Sequence, residues 1–434
     1  MAVNQSYLGL ALRSQNSCNF QQFVTFLIPK LLTKAPKKDY FLSIPHPRGQ
    51  ENMENSSMRK TSFIRLAVAA TAVAALVGTT LPAQAAVKPA DKAIIGDDCT
   101  AASAASKKVA KGRGVDGSDL TCMVVPTGSY KGQTKWWYKD VKPLKNIDWT
   151  VPANPGGYSL TSNAISDTLK AEGLLGEYTS TFKPGAGGAV GLGAFQEIKN
   201  KPEAALVTGI AMTGGLYSNK SPLNLLASTP IAKVLREYDA IVVPANSKYR
   251  TLNQLMDDLK AKPNGVAIAG GSKGGIDHQV IGLLAQTAGI DPTKLNYVVF
   301  SGGPEVITSV LSGSTQVGIS GSSEFNAFVS SGKLRVLGVS SSKPLSGFKG
   351  KTFKQQGYDL VYGNWRGIMA PADISKADYN NFIKVIDIMH ISPSWREQLK
   401  KNNWDNEFEA GSKFKTFLEK HIPEINKVMK GLGI

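Results

Sequence analysis

The residues of this 434-residue chain best suited to chemistry are glycines set in front of helices. Five turns share the form: Asn154-Pro155-Gly156-Gly157, Pro184-Gly185-Ala186-Gly187-Gly188, Gly270-Gly271-Ser272-Lys273-Gly274-Gly275, Ser301-Gly302-Gly303 and Ser320-Gly321. Each stands between a strand-like run and a stretch of helical spacing. Such a turn leaves backbone N–H groups unpaired and aims the positive end of a helix dipole at whatever sits there. That is chemistry for holding an anion, and glycine keeps side chains from blocking the amides. A single turn of this kind is explained equally well by the geometry of a tight strand-to-helix connection. The repetition points to a shared site.

Three sharper readings compete. Gly270-Gly271-Ser272-Lys273-Gly274 matches G-x-S-x-G between a strand and a helix, which would make Ser272 the nucleophile of a secreted hydrolase. The histidine of that machinery would have to be His390 or His421, both in expected C-terminal helices, because His278 is too close in sequence. Gly350-Lys351-Thr352 echoes a phosphate loop, but Leu345 occupies the place of its first glycine. Gly185-x-Gly187 lacks the third glycine of a dinucleotide fingerprint, since Val190 stands there. The four histidines are scattered, and none stands with a cysteine at metal-ligand spacing. No cofactor and no metal is expected.

The elements that must position the turns follow from periodicity. Strands are expected at Asp148–Val151, Tyr178–Phe182, Ala240–Val243, Val266–Ala269, Tyr297–Phe300, Gln316–Ile319 and Leu334–Val339. Helices are expected from Ser159 to Ala171, with Leu160, Ala164, Ile165 and Leu169 on one face, after the 184–188 turn to about Ile198, after Thr251, and from Asp277 to Ala288. Others open at Pro304, follow Ser320-Gly321, and fill Lys376–Met429. Strands alternating with helices imply α/β architecture with mostly parallel sheets. In open sheets of that kind ligands bind at the carboxyl ends of strands, where the glycine turns fall.

Composition sets the compartment. Apolar residues make up 42% and charged residues 19%, a globular balance with length for two or three domains. Arg59, Lys60 and Arg65 precede an uncharged apolar run, Leu66–Leu81, followed by Ala83-Gln84-Ala85, the three parts of a secretory signal peptide over 58–85. Translation is accordingly expected to start at Met58, with 1–57 an upstream extension outside the gene product. The formal charge of +17 loses nine basic and three acidic residues with 1–85, leaving 41 basic against 30 acidic residues, or +11. Export argues against a nucleic-acid partner, and the lysines lie mostly singly along helices, as on a solvated surface.

Residues 86–146 differ from the rest: a basic run at Lys107-Lys108 through Arg113, several glycines, and Cys99 and Cys122. In an oxidising compartment these cysteines are expected to form a disulfide, which at that spacing contributes about 3 kcal/mol. Trp136-Trp137-Tyr138 is expected to dock this appendage on the main body, an exposed stacking platform being the alternative.

The ordered set Pro155-Gly156-Gly157-Tyr158, Pro184-Gly185-Ala186-Gly187-Gly188, Gly274-Gly275-Ile276-Asp277-His278, Phe300-Ser301-Gly302-Gly303, Gly332-Lys333-Leu334-Arg335-Val336-Leu337 and Asn364-Trp365-Arg366-Gly367 resembles the substrate-binding receptors of tripartite tricarboxylate transporters. The resemblance runs from Ile147 to the C-terminus. It implies a periplasmic, two-lobed binding protein of type II, lobe one at 147–245 plus 363–434 and lobe two at 246–362. It further implies a monomer that holds a small carboxylate between its lobes for integral membrane permease subunits. Tyr158, Ser159, Gly185, Ala186 and Gly187 would then meet the carboxylate, with Ser272, Asp277, His278, Ser301, Gly302 and Ser320 facing them from lobe two. A bulky side chain at Gly187 would block the anion and leave the fold intact. Arg366 is a further ligand candidate, because a guanidinium grips carboxylates bidentately. Many members carry an acid and an arginine where this chain has Ser159 and Asn163. The residues also admit other roles: Asp277 as a helix cap, His278 as a cap or core residue, and 364–366 as a hinge strand. As rivals to transport, the Ser272 hydrolase and a ligand-binding partner of a sensor kinase remain open.

Overall fold

In the computed structural model, which describes residues 87–434, the repeated strand–turn–helix text becomes two parallel three-stranded layers joined by long crossing strands. The expected signal peptide at 58–85 and the extension at 1–57 lie outside the described residues.

The N-terminal part packs α1 (Ala101–Ala105) on a small antiparallel sheet of β1 (Val109–Ala110), β2 (Leu120–Val124) and β3 (Thr134–Trp137). Its apolar content is small, and Cys99 and Cys122 cross-link it with Cα atoms 6.0 Å apart. Trp136, Trp137 and Tyr138 are buried, against the alternative of an exposed platform. The Tyr138 hydroxyl donates to Asp387, and the Tyr130 hydroxyl donates to the Ile391 carbonyl at 3.1 Å. At Glu172 the docking is polar: its carboxylate accepts the Ser129 amide at 2.7 Å and the Ser129 and Ser394 hydroxyls at 2.6 Å.

The first layer is β4 (Leu144–Val151), α2 (Gly157–Ala171), β5 (Leu175–Phe182), α3 (Ala189–Gln196), β6 (Ala204–Gly209) and α4 (Ile210–Ser218), its strands parallel in the order β5-β4-β6. The 16-residue β7 (Thr229–Pro244) then leaves for the second layer. That layer comprises α5 (Leu252–Ala261), β8 (Ala267–Gly270), α6 (Ile276–Thr287), β9 (Asn296–Val299), α7 (Gly303–Leu311), β10 (Val317–Gly321), α8 (Ser322–Ser330) and β11 (Leu334–Val339). Its parallel strands are ordered β10-β8-β9. The chain returns through β12 (Gly363–Ala370) and ends in α9 (Lys376–Ile391), α10 (Pro393–Asn402), β13 (Glu409–Ala410) and α11 (Ser412–Gly431).

Parallel pairs need helical crossovers, whereas strands that merely pass between layers can pair antiparallel. Antiparallel pairing is therefore found at β7 and β12. The first part of β7 pairs with β12, and its last part with β10 and β11. Two lobes joined by two crossings result. β7 is longer than the Ala240–Val243 expectation because its first half carries charge. That charge is neutralised locally: Lys233 pairs with Glu409 at 2.8 Å and Glu407 at 3.4 Å, and Arg236 pairs with Glu407 at 2.7 Å.

Candidate ligand cleft

The carboxyl ends of β4, β8 and β10 point at one cavity of about 70 Å³, walled by the first turns of α2, α6, α7 and α8. Space for one water takes roughly 10–15 Å³ on this scale, so the cavity has room for about five small groups. Two helix N-termini meet head to head across it. A Cβ added at Gly156, before α2, would lie 3.8 Å from the amide nitrogen of Gly303, which opens α7.

Of the residues singled out from sequence, Tyr158, Gly187, Ser272, Asp277, Ser301, Gly302, Ser320 and Arg366 line this cavity. Ser159, Gly185, Ala186 and His278 are placed elsewhere. The Ser159 hydroxyl accepts the Gly156 amide at 3.0 Å and borders a neighbouring apolar groove with Leu160 and Phe328. Gly185 and Ala186 form the bend ahead of α3, with φ of 133° and 46°. Gly187 continues it at φ 61°, and an added Cβ there would lie 2.5 Å from the Gly215 Cα of α4. A bulky residue at Gly187 would therefore wedge two backbones apart, contrary to the expectation that the fold tolerates it.

His278 lies behind the cleft. Its ring stacks on Tyr297 at 4.1 Å, and its Nδ1 accepts the Gly274 amide at 3.2 Å. Burial, helped by the nearby Lys273 charge, pushes it down to about 4, so it is neutral at physiological pH. Asp277 is not the cap of α6, since Gly275 takes that position. Instead its carboxylate accepts the Gly271 amide at 2.7 Å and pins the glycine turn, while Tyr297 donates to the Gly271 carbonyl at 2.9 Å. His390 contacts Asp387 on its own helix, and His421 contacts Glu424 at 3.2 Å; neither lines the cavity with Ser272.

Arg366 sits on β12 with its guanidinium 4.3 Å over the Tyr158 ring. Its Nε donates to Glu237 at 2.8 Å, its Nη2 donates to the same oxygen, and Asn364 adds a third donor at 2.7 Å. Burial disfavours the charged guanidinium most, but Glu237, Tyr158 and Glu324 together hold it above its ordinary value. A side chain at Gly157 would collide with this guanidinium, at 2.5 Å from Nη2.

Sequence reasoning missed three carboxylates here: Glu237 and Asp239 on β7, and Glu324 in the first turn of α8. Glu324 lines the cavity and accepts the Ser320 hydroxyl at 2.8 Å. Burial, then the Glu237 charge, pushes Glu324 up to about 7. Burial likewise pushes Asp277 up to about 6 against the pull of the Gly271 amide. Asp239, buried and beside Asp277, is raised well above the ordinary carboxyl range. Glu237 and Asp239 are spaced i, i+2 on one face of β7, just ahead of the apolar run Ala240–Val243 that sequence reasoning took for the whole strand.

The family model for tripartite tricarboxylate transporter family receptors matches residues 179–434, more than half of the chain. The chain belongs to that family. It is 23% identical over 247 residues to the BugT protein of Bordetella pertussis, covering 54% of this chain and 72% of the relative. Among solved structures it resembles the periplasmic binding protein BugD, with 19% identity, a TM-score of 0.59, and 68% of this chain and 99% of that one covered. It also resembles a Rhodopseudomonas palustris protein solved with adipate, with 15% identity, a TM-score of 0.61, and coverage of 67% and 98%. The receptor thus shares its two-lobed fold with periplasmic binding proteins.

Proposed function

We propose that this receptor is exported, closes its two lobes on a small carboxylate, and hands it to the permease subunits of a tripartite transporter. In this reading the signal peptide ends at Ala85, residues 86–146 form the disulfide-linked appendage, and the mature receptor acts as a monomer in the periplasm. Lobe one takes 147–245 and 363–434, and lobe two takes 246–362. The observation that carries the reading is the pair of glycine-opened helix N-termini, Gly156-Gly157 and Gly302-Gly303, aimed at one cavity that Arg366 also lines. Unpaired helix amides and a guanidinium are donors suited to a carboxylate. The neighbour solved with adipate, a dicarboxylate, supports the same reading.

Gly302 supplies the test. Its φ of 173° suits any residue, and an added Cβ would meet nothing nearer than the Pro155 carbonyl at 3.5 Å. Gly302→Leu should keep the fold and fill the cleft. A carboxylate at 100 times its dissociation constant stabilises by about 2.7 kcal/mol, a melting shift of about 5 °C at roughly 2 °C per kcal/mol. An organic-acid library should contain members that give this shift with the unaltered receptor and none with Gly302→Leu. An undiminished shift in the variant would place the ligand elsewhere.

A further inference from the structure

The last turn of α11 reaches out of the layer that carries the rest of the helix. The base of α11 lies on the crossing strand β12, where the ring centres of Phe414 and Phe417 stand 5.8 and 5.5 Å from that of Trp365. The helix also packs on α4 of the first layer. Its tip touches the second layer instead. Met429 lies against the 270–275 turn, where a Cβ at Gly274 would stand 2.6 Å from its Cε. Gln286 of α6 donates to the Gly431 carbonyl at 2.9 Å. Leu432, 1% exposed, approaches α6 so closely that a Cβ at Gly282 would stand 3.0 Å from its Cδ2. Gly433 abuts Thr293 beyond α6.

Both sides of this contact are built for it. Leu432 caps α11, the Gly433 amide donates to the Lys430 carbonyl at 3.2 Å, and the Ile434 amide donates to the Met429 carbonyl at 3.1 Å. Those are the paired bonds of a Schellman end, and Gly433 supplies the left-handed residue it needs, with φ 69°. Gly282 sits inside α6, where glycine is disfavoured, and the close approach of Leu432 accounts for it. Pro423 has no N–H to bond back to the Glu419 carbonyl, so α11 is weakest between its base and its tip. The tip therefore joins the two layers at a third place besides β7 and β12. It lands beside the turn whose Gly271, Ser272 and Gly275 line the cleft.

We infer that the tip of α11, Met429 to Ile434, is a latch whose packing on α6 holds the two lobes in the arrangement that sets α2 and α7 head to head across the cleft. This goes beyond the carrier reading and does not depend on which solute is carried. Contacts made with the lobes together raise the fraction of receptor ready to bind, and apparent affinity scales with that fraction. Burial of one leucine shifts such an equilibrium at least about tenfold.

Spin labels at Asn163→Cys on α2 and Thr308→Cys on α7, both exposed and both lining the groove at the cleft mouth, read the gap between the lobes. Cys99 and Cys122 are tied to each other and take no label. Double electron–electron resonance is measured on receptor refolded from denaturant, without reduction, to strip carried-over solute. With the latch intact the short distance should dominate. Leu432→Ala should move the ratio of short to long distances at least about tenfold toward the long. Gly282→Leu should do the same, because it wedges the contact from the other side while favouring the α6 helix itself. A cooperative melt scores each variant as folded, and either folded variant is sufficient for the test. Unchanged distances in either folded variant, or a long distance that dominates with the latch intact, would overturn the inference and leave the carrier reading standing.

Discussion

Replacing Arg366 by Met should unsettle the floor of the cleft more than any single change that leaves the apolar cores intact. The side chains of Arg366 and Glu237 are only 6% and 2% exposed, so the pair is screened from water on both sides. Removing the guanidinium takes away two of the three hydrogen bonds to Glu237 and leaves the Asn364 amide as the remaining one. Breaking one side of a buried pair typically costs about 3–5 kcal/mol, because a charge stays behind unmatched. At roughly 2 °C per kcal/mol for a large domain, the melting temperature should fall by about 6–10 °C. The double variant Arg366→Met with Glu237→Gln should recover most of the loss, since no lone charge remains. Arg366 also lowers Glu324 and Asp277 through its charge, so both carboxyls should titrate higher in the single variant. Circular-dichroism melts of the three proteins, with carboxyl titration by NMR, check all of this. A single variant that melts with the unaltered receptor, or a double variant that adds the two losses, would refute the reasoning.

The disulfide should contribute about 3 kcal/mol, so Cys99→Ser with Cys122→Ser should lower protection of 87–142 in hydrogen exchange, and thiol labelling of the denatured, unreduced receptor should find neither cysteine. At Glu172, burial would raise the carboxyl, but the Ser129 and Ser394 hydrogen bonds prevail and hold it below the ordinary value. A depressed folded pKa gives stability that is present above the unfolded value and lost as pH falls through the folded one. Melting temperature should therefore drop more steeply below about pH 4.5 in the unaltered receptor than in Glu172→Gln. Gly187→Leu should melt several degrees lower whether or not ligand is present, by the clash with Gly215; an unchanged melt would show that the loop and α4 can separate cheaply.

Much of the fold was legible because burial on both faces writes apolar runs between turns. β8, β9 and β11 fall within a residue or so of their sequence bounds, and Thr251 caps α5 as expected, its hydroxyl accepting the Gln254 amide at 3.3 Å. The first half of β7 was hidden, because hydropathy scores Lys233, Arg236 and Glu237 as solvent-facing while their partners are far away in sequence, at Glu407, Glu409 and Arg366. β6 and α4 were hidden for the opposite reason. Ala204–Ser218 is apolar and small throughout, with no period to distinguish strand from helix and no cap between them. No local pattern could say that β7 and β12 pair antiparallel, since that follows from where the chain crosses between lobes.

The glycine turns were legible as a site because each announces its own local need, whereas the acidic floor is a property of tertiary assembly. Glu237 and Asp239 come from a crossing strand, Asp277 from one helix and Glu324 from another, and burial, with the Glu237 charge adding to it, raises the last two once the chain has folded. Net charge pointed the other way. The whole chain carries +17, yet among the described residues a single basic one, Arg366, lines the cleft. Exposed lysines are screened within about a Debye length of 8–10 Å, so they contribute little to the field inside the cleft. Inside the cleft the few desolvated groups dominate the field, because interactions there are far stronger than at the surface. A basic protein can therefore hold an acid-rich pocket without contradiction, because Glu324, Asp277 and Arg366, not the isoelectric point, set the field inside it.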